Sequence, residues 1–470
     1  MSTKRVVRYV AVWAALTAGF VSGAASGQEQ EKDGHWRLNE ALRSPEWFNV
    51  SGTYRVRYET LNHPFRAEAS GSDEILVERL FLNASVIVQQ FHATIELEDS
   101  RQQLADSGTP LGTDIVNAVE PVQAYVGMSF DGALSQQDQL DLTLGRMTID
   151  AGSRRLVARN SFRNTTNAFA GARATWKGSD GQEVFALYAF PVQRKPTDFE
   201  SLKNNDIELD RTTGDITFWG LFGSLPGVLG KMTVEAYAYG YRTRDSTDNP
   251  IADRNIYTPG FRLYRKPAKE SWDFEVETAY QWGTSRLGTA ATDTTDLQHS
   301  AGFFHGEIGY TLKAKMSPRL ELSYDYASGD KDPDDNRNNR FDTLFGARRF
   351  DFGPTGIYGP FARANINSPG ARLELKPARE LSAMVGYRAV WLASDRDQFT
   401  TARLQDPTGN SGSFIGHQIE AQLQYDVLPG NVALEIGGAY LFQGEFLEKA
   451  PGAPDEGNTT YLYVAATLTF

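Results

Sequence analysis

The ten residues VSGTYRVRYE at positions 50–59 alternate strictly between two kinds of side chain. Valine, tyrosine and one glycine occupy the even positions, while serine, threonine, two arginines and a glutamate occupy the odd ones. A period of two is typical of a β-strand that has one oily and one wet face. Because the wet face carries ionised groups, it must lie in water or against other charges.

The same alternation returns many times, for example at residues 91–98 and 272–282. A soluble β-sandwich shows this pattern because its oily faces pack together inside. A transmembrane β-barrel shows it too, with the oily face turned toward lipid. The period alone therefore leaves both architectures open.

The lengths of the connections decide between them. About 18 candidate strands are joined alternately by short links and by long polar segments. The short links are residues 177–182, 266–270, 315–318, 376–379 and 429–431, and the long ones are residues 61–73, 100–118, 150–167, 328–368 and 394–413. Short periplasmic turns and long extracellular loops are typical of bacterial outer-membrane barrels. We therefore predict an all-β, closed antiparallel transmembrane barrel.

The carboxyl terminus supports this prediction. Residues 460–470, TYLYVAATLTF, alternate to the last position and end on phenylalanine. Backbone groups in lipid must all be paired, so a closed sheet is the strand-based way to span a membrane. Aromatic residues near strand ends are then expected to form girdles at the two membrane interfaces. They are Trp176, Tyr188, Trp219, Tyr326, Trp391 and Tyr440.

The amino terminus has the composition of a secretory signal peptide. Lys4, Arg5 and Arg8 precede an apolar run at residues 9–21, and small residues follow as far as Gly27. The run is shorter than the roughly 20 apolar residues that a membrane-spanning helix needs. We expect residues 1–27 to be a cleaved signal peptide and residues 28–470 to be a single barrel in the outer membrane.

One stretch has a charge opposite to that of the whole chain, whose formal net charge is −12. Residues 144–173, LGRMTIDAGSRRLVARNSFRNTTNAFAGAR, contain six arginines, no lysine and one acid. Alternation directs Arg173 into the lumen, whereas it directs Arg146 toward lipid, where arginine costs roughly 2–4 kcal/mol near the midplane. A bulge at Gly145 would turn Arg146 inward; otherwise Arg146 lies at the interface. The arginines between them lie in a loop that stays outside or folds into the pore.

Parts of this stretch resemble the signature of the alginate-export family of outer-membrane porins. The matching segments are LGRM, GSRRLVARNSFRNT and FAGAR, with YDYASGDKDPDDN at residues 324–336 and FDTLFG at residues 341–346 similar to the long acidic loop of that family. The family pattern has glutamine, tryptophan and aspartate where this chain has Met147, Phe162 and Ala170. The resemblance implies an 18-stranded barrel with an arginine-rich lumen through which an anionic polysaccharide leaves the cell.

The physical chemistry of arginine favours an anionic passenger as well. A guanidinium group remains charged at physiological pH and binds a carboxylate through two parallel hydrogen bonds, and rings of arginine make a pore prefer anions. The alternative interpretation is that lumenal arginines pair with lumenal acids, such as Glu59, Glu277 and Glu374, and so stiffen the barrel. Besides Arg55, the candidate path residues are Arg57, Arg79, Arg146, Arg159, Arg163, Arg173, Arg372 and Arg388.

We therefore expect a channel that passes an anionic polysaccharide, alginate or a similar polyuronate. The alternative is a general or small-molecule uptake porin with the same barrel, and a third class is a barrel hydrolase or adhesin. None of the six histidines lies in a sequence context that names a nucleophile or a metal site. We expect no catalysis, cofactor or nucleic-acid binding. The expected partners are outer-membrane lipid and periplasmic export proteins around a monomeric barrel.

The acidic stretch at residues 329–342 invites comparison with a calcium loop, since Asp330, Asp332, Asp334 and Asp335 lie close together. It lacks the glycine at the sixth position and the glutamate at the twelfth that an EF-hand loop needs. We expect a solvated outer loop. A lid over the pore and a cation site at the lipopolysaccharide surface are the alternatives.

Overall fold

The computed structural model describes residues 36–228, 230–246, 249–289 and 293–470. The chain from Arg37 to Phe470 forms one compact unit. In the described ranges, no helix is both long enough and apolar enough to cross a membrane. The expected signal peptide, residues 1–27, lies outside the described residues.

Eighteen long strands in the described part of the chain pair antiparallel with their sequence neighbours and close into a barrel. The ring closes where β1 pairs with β19. A two-residue strand, β14, pairs parallel with β12 and is not one of the strands that form the ring. The strands are β1 (Phe48–Asn62), β2 (Ser72–Val88), β3 (Phe91–Gln103), β4 (Asn117–Asp131), β5 (Gln139–Met147), β6 (Phe169–Lys177), β7 (Glu183–Pro191), β8 (Ile216–Val228), β9 (Met232–Thr243), β10 (Arg254–Arg265), β11 (Ser271–Ser285), β12 (Leu297–Thr311), β13 (Arg319–Ala327), β14 (Arg337–Asn338), β15 (Ile366–Leu375), β16 (Leu381–Trp391), β17 (Phe414–Leu428), β18 (Val432–Gln443) and β19 (Thr459–Thr469).

The connections at one end of the barrel are short and those at the other end are long, which confirms the predicted asymmetry. Residues 89–90 and 429–431 are short turns, whereas residues 148–168, 192–215 and 328–365 are long loops. In the part of the chain that the structure describes, four helices of four to six residues lie outside the strands. They are Leu38–Leu42, Phe199–Asn204, Arg349–Phe352 and Glu445–Lys449.

The two faces of the strands point as the alternation predicted, with the oily face outside. On β11, Trp272 is 59% exposed while its neighbour Asp273 is 2% exposed. On β1, Arg57 and Glu59 are buried. A soluble sandwich has the opposite arrangement, because its oily face is the buried one. The outer apolar face therefore fits a lipid environment, and the charged face lines the lumen.

Aromatic residues mark both ends of the lipid-facing surface. The rings of Trp272 and Tyr310 lie 5.0 Å apart near the short turns. The rings of Tyr257 and Trp282 lie 5.9 Å apart near the long loops. Amphipathic aromatic rings of this kind are enriched at membrane–water interfaces.

Two long loops fold back into the barrel and fill part of its lumen. We call the inward-folded parts, residues 154–167 of the β5–β6 loop and residues 341–363 of the β13–β15 loop, the lumenal plug. The two parts pair through their backbones. The Phe345 N–H donates to the Leu156 carbonyl at 2.9 Å, and the Phe345 carbonyl accepts from Ala158 N–H at 3.1 Å. The arginine-rich loop of the sequence thus lies inside the pore.

An aromatic core docks the plug onto the barrel wall. The ring of Phe345 lies 5.0 Å from that of Phe169, 5.2 Å from Phe218 and 5.4 Å from Tyr241. The three partners are inward-facing residues of β6, β8 and β9, and they are buried. Full burial of one such apolar side chain stabilises the folded state by roughly 1.5–3 kcal/mol. The plug and the inward-facing aromatic residues of the wall therefore share a hydrophobic core.

A second aromatic contact fixes the plug on the other side of the ring. The ring of Tyr358 stacks on that of Tyr461 from β19 at 5.1 Å. The Tyr358 hydroxyl donates a hydrogen bond of 2.8 Å to Gln418 on β17. The plug is thus held at two separate sectors of the wall.

We predict that Ile95→Arg destabilises the barrel, because Ile95 faces outward from β3 and is 49% exposed. An arginine on the lipid face costs about 2 kcal/mol or more near the bilayer midplane. The measurement is the free energy of unfolding in urea from lipid vesicles. The matched control is Thr94→Arg, one residue away on the lumenal face, which we expect to cost much less. Equal losses for the two variants would contradict the assignment of faces.

Candidate functional site

Three arginines of the wall bind three consecutive carbonyl groups of the plug. From β1, Arg55 donates to the Ser161 carbonyl at 2.6 Å and Arg57 donates to the next carbonyl at 2.5 Å. From β2, Arg79 donates to the Arg163 carbonyl at 2.9 Å. These contacts explain why alternating arginines occupy the inward face of β1, since they hold the arginine-rich loop against the wall.

Five of the eight predicted path residues form ion pairs within the described part of the chain. Such pairs neutralise their charge and fill the lumen, as the alternative interpretation of the sequence had it. The pairs are Arg57–Glu59 at 2.7 Å, Arg146–Glu120, Arg159–Glu96 at 2.7 Å, Arg372–Glu321 at 3.6 Å and Arg388–Asp325 at 2.8 Å. Glu59 is among the acids that the sequence named as partners.

Other lumenal arginines have no carboxylate within ion-pairing distance among the described residues. Their hydrogen bonds go to neutral oxygens, for example from Arg163 to the Asn167 side chain at 2.9 Å. Arg173 on β6 has no hydrogen-bond partner in the described chain, and its Nε is buried. We call this set the unpaired arginines. Its members toward β1, β2 and β6 are Arg55, Arg79, Arg163, Arg173 and Arg194, and the name is kept for these five; within the described chain, Arg66 and Arg348 of the loops likewise donate only to carbonyl groups.

Sequence reasoning missed Arg194. It lies in the loop between β7 and β8, where no strand period indicates which way a side chain points. In the structure it donates to the Thr166 carbonyl at 2.9 Å, beside the plug. A lone arginine in a long polar loop carries no sequence signal that would have found it.

The loop arginines lie close enough together to perturb one another. Burial and the positive charge of Arg194 lower the pKa of Arg163 to about 9. Burial and the charge of Arg348 lower the pKa of Arg66 to about 10. Desolvation and like charges both disfavour the charged form of a base. These guanidinium groups are therefore poised to gain from an anion that comes near them.

The sequence left two positions open for Arg146: it is turned inward by a bulge at Gly145, or it lies at the interface. Pairing of β5 is regular at Gly145 on both sides, so no bulge there turns Arg146 inward. The nearby pairing irregularities lie instead between β3 and β4, at Glu96/Leu97 and at Glu98/Ser100. Arg146 lies near the long-loop end of β5, pairs with the buried Glu120 and donates to the Pro121 carbonyl at 3.0 Å. Its charge is satisfied at the end of the strand.

A second sector of the wall, from β9 to β18, is rich in carboxylates. Arg319 alone lies within 4 Å of four of them: Asp273 at 2.5 Å, Glu307 at 2.5 Å, Glu321 at 2.6 Å and Glu374 at 3.4 Å. Every inward-facing arginine described in this sector has a carboxylate partner. These arginines are Arg254, Arg262, Arg319, Arg372 and Arg388. The unpaired arginines therefore lie toward β1, β2 and β6.

One buried network connects the plug to this acidic sector. Arg155 of the β5–β6 loop binds both oxygens of Asp351 at 3.0 Å and also Glu277 of β11 at 2.9 Å. Arg363 of the β13–β15 loop pairs with the same Asp351. Burial alone raises the pKa of a carboxyl group, but Arg155 and Arg363 hold the pKa of Asp351 well below its usual range.

The acidic stretch at residues 329–342 divides into two parts. Asp332, Asp334 and Asp335 are exposed, as expected of a solvated outer loop. Asp330 is buried and accepts a hydrogen bond from Asn339 N–H at 3.1 Å, where the chain begins to enter the barrel. Within the described residues, the carboxylates of this stretch are not gathered closely enough to hold a metal ion.

A different group does bring metal-ligating atoms close together, namely His305, Asp325 and Asp351. Its carboxylates already have cationic partners, because Arg388 binds Asp325 at 2.8 Å and Arg155 binds Asp351. Adding a cation there would repel these guanidinium groups. The group is therefore part of the ion-pair network.

A closed barrel with an apolar outer belt and a charged lumen defines the class of this protein: it is a channel of the bacterial outer membrane. The fold is similar to that of OccAB1 from Acinetobacter baumannii, with a TM-score of 0.56 and 12% identity over 94% of this chain and 100% of that one. It is also similar to OpdK from Pseudomonas aeruginosa, with a TM-score of 0.54, 12% identity and coverage of 90% and 99%. At this identity the likeness shows the fold alone.

The family follows from the sequence as a whole. The family model described as alginate export matches residues 46–459, so the chain belongs to the alginate-export family. A comparison with curated proteins found no match. A structure of OpdK with vanillate is also similar, with a TM-score of 0.54 and 13% identity over 90% of this chain and 99% of that one. Both the family and the fold are those of channels.

We predict that Arg159→Gln destabilises the protein more than Arg173→Gln does. Arg159 binds Glu96 through two hydrogen bonds, of 2.7 and 2.9 Å, and its loss leaves a buried carboxylate unpaired. A buried charged group without its partner costs about 1–3 kcal/mol or more. Arg173 has no partner to leave behind. The free energy of unfolding in urea measures both, and a larger loss for Arg173→Gln would contradict this division of the arginines.

Proposed function

We propose that this channel conducts a polyuronate, alginate or a similar anionic polysaccharide, through the outer membrane. The observation that carries the proposal is the set of unpaired arginines. Family membership supports a polymer as passenger, because the matching model describes alginate export.

The hydrogen bonds of the unpaired arginines suit a moving anion. Arg55, Arg79 and Arg163 donate to carbonyl or amide oxygens, which are neutral. A carboxylate accepts shorter and roughly twice stronger hydrogen bonds from a guanidinium group than a neutral acceptor does. A passing carboxylate can therefore replace a neutral acceptor without leaving a buried charge behind. Several such sites in succession let a polymer bind and advance without being trapped.

The carboxylates between β9 and β18 support the same path. Each arginine in the sector that holds Glu307, Glu321 and Glu374 is already matched by carboxylates, so this sector offers a polyuronate less unmatched positive charge. Near the unpaired arginines of β1, β2 and β6 it meets opposite charge. The lumen thus offers an anion one favourable side.

A second candidate is uptake of small organic acids, and a specific observation favours it. The lumenal plug fills part of the barrel and is held by aromatic contacts such as Phe345 on Phe218 at 5.2 Å. A small carboxylate needs a smaller displacement of the plug than a polymer does. The OpdK structure that holds vanillate shares the barrel fold. Periplasmic export partners and a monomeric state remain predictions.

We predict that neutralising three unpaired arginines, as R79Q/R163Q/R173Q, lowers anion over cation permeability by roughly 3- to 10-fold. No carboxylate in the described chain loses an ion-pair partner in this variant, so the barrel is expected to remain folded. The measurement is the reversal potential of the purified channel in a planar bilayer under a salt gradient. The matched control is the triple lysine variant, which keeps the charge and should keep the selectivity.

Current recordings in the same bilayer distinguish the two candidate passengers. A polyuronate that blocks the wild-type current, and blocks the glutamine variant much less, supports polymer conduction. Block by glucuronate monomer alone supports uptake of small acids. A channel whose selectivity is equal in wild type and the glutamine variant contradicts the proposal and leaves these arginines as anchors of the plug.

A further inference from the structure

Arg363 is the most tightly enclosed cation of the plug that depends on a single carboxylate. Its side chain is 1% exposed, and Asp351 is its only carboxylate partner among the described residues. Its Nη1 donates to the carbonyls of Arg155 and Ala347, at 3.2 and 2.6 Å. Its Nε is buried without any partner in the described chain. The guanidinium group thus has unused capacity to bind a carboxylate.

Asp351 is shared between two arginines of two different loops. Arg155 approaches it with two parallel hydrogen bonds of 3.0 Å, and Arg363 approaches the same carboxylate from its own loop. This is the two-pronged geometry with which arginine recognises a free carboxylate ligand. The Asp351 carboxylate is therefore bound by the two arginines in the way that a carboxylate ligand would be.

The segment that carries Asp351 is short and adjoins a narrow crevice. Asp351 belongs to the four-residue helix Arg349–Phe352, which ends at Gly353 with a φ of +90°. Between the helix and the wall, this crevice has room for about one water molecule. Arg372, Arg388, Gln418 and Glu420 are among the residues that line it. Release of the helix widens the crevice and lets the carboxylate of a sugar acid reach the Asp351 pair.

We propose that Arg363 and Arg155 form a carboxylate-binding site that Asp351 fills while the lumenal plug is closed, and that the carboxylate of a uronate takes its place and releases the helix that carries Asp351. The inference rests on the proposed function, since it assumes that uronates enter the lumen. It adds a way for the passenger to open its own path.

Replacing the Asp351 carboxylate by that of a uronate avoids the main free-energy cost of breaking this ion-pair network. Removing Asp351 without replacement leaves buried guanidinium charge unpaired, which is strongly destabilising. A uronate carboxylate restores the same pair. The site also survives the exchange, because Arg155 remains bound to Glu277 at 2.9 Å and Arg363 remains bound to the Ala347 carbonyl.

The first test is binding of glucuronate to the full-length barrel in detergent, measured by isothermal titration calorimetry. In the wild type Asp351 competes for the site and weakens the apparent affinity by the fraction of time that it is bound. We expect Asp351→Asn to bind glucuronate roughly 10-fold or more tightly than the wild type. Circular dichroism verifies that the variant is folded.

The matched control is Asp397→Asn. Asp397 is also a loop carboxylate, it is 1% exposed, and it pairs with Arg340 away from the proposed site. We expect its glucuronate affinity to equal that of the wild type. Equal affinity of the wild type and Asp351→Asn overturns the inference. So does the same gain in both asparagine variants, because any arginine that has lost its carboxylate partner would then suffice.

A second test locks the plug. The chain has no cysteine, so the pair V157C/F345C, placed at bridge partners of the two loops, introduces the only thiols. The proposed exchange releases only the helix that carries Asp351, so we expect the conductance evoked by glucuronate to be equal in the oxidised and reduced states of the double variant. A loss of at least 5-fold on oxidation that a reductant restores, and that V157C and F345C alone do not show, overturns the inference, because the two loops would then have to separate.

The two proposals fail separately. If R79Q/R163Q/R173Q changes ion selectivity while Asp351→Asn leaves glucuronate binding unchanged, the channel function stands and the Asp351 exchange does not. If Asp351→Asn gains affinity but the glutamine variant keeps wild-type selectivity, a carboxylate site exists and the unpaired arginines are not the path.

Discussion

The whole molecule depends on the need to pair every backbone polar group that lies in lipid. An open sheet leaves unpaired N–H and C=O groups at its edges, and each costs several kcal/mol in a hydrocarbon environment. Pairing of β1 with β19, from Thr53 opposite Thr469 to Asn62 opposite Thr460, removes both edges. Closure then forces the polar half of each strand inward, because alternate side chains point to opposite faces. The charged lumen is a consequence of the closed sheet.

A ring of this size leaves more interior than the wall side chains can fill, since barrels of 16–18 strands enclose an aqueous channel. The chain fills part of that space with its own loops. Desolvation then sets the rule for each buried arginine: it needs oxygen atoms, either from a carboxylate or from several carbonyls. Arg155 satisfies the rule with Asp351, Glu277 and Glu275. Arg79 satisfies it with carbonyls alone. That difference separates an arginine whose charge is neutralised by carboxylates from one whose charge is available to an anionic passenger.

The fold could be predicted from sequence because its signals are local. The period of two at residues 50–59 shows which side chains share a face, and it correctly directed Arg55, Arg57 and Arg79 inward. Partners could not be predicted in the same way. Arg155 and Asp351 are 196 positions apart, and both lie in loops that have no period to orient them. Arg146 illustrates the limit, since its carboxylate partner, Glu120, lies 26 positions earlier on β4 and no period in the sequence pairs the two. Strand parity predicts a face and leaves the neighbour across the lumen undetermined.

The two kinds of contact that hold the plug respond differently to an anionic passenger. The docking of Phe345 on Phe169 and Phe218 is apolar, so a carboxylate offers nothing to replace it. The Asp351 contacts are ionic, and another carboxylate can take them over. On the proposed exchange, the plug stays attached to β6 and β8 and loosens first where Asp351 meets Arg388 of β16, whose guanidinium donates to the Asp351 carbonyl at 2.8 Å. The plug then loosens first on the side of the crevice near Gln418 and Glu420. Its aromatic anchor stays in place, so a uronate chain that follows the unpaired arginines of β1, β2 and β6 can pass a plug that never leaves the barrel.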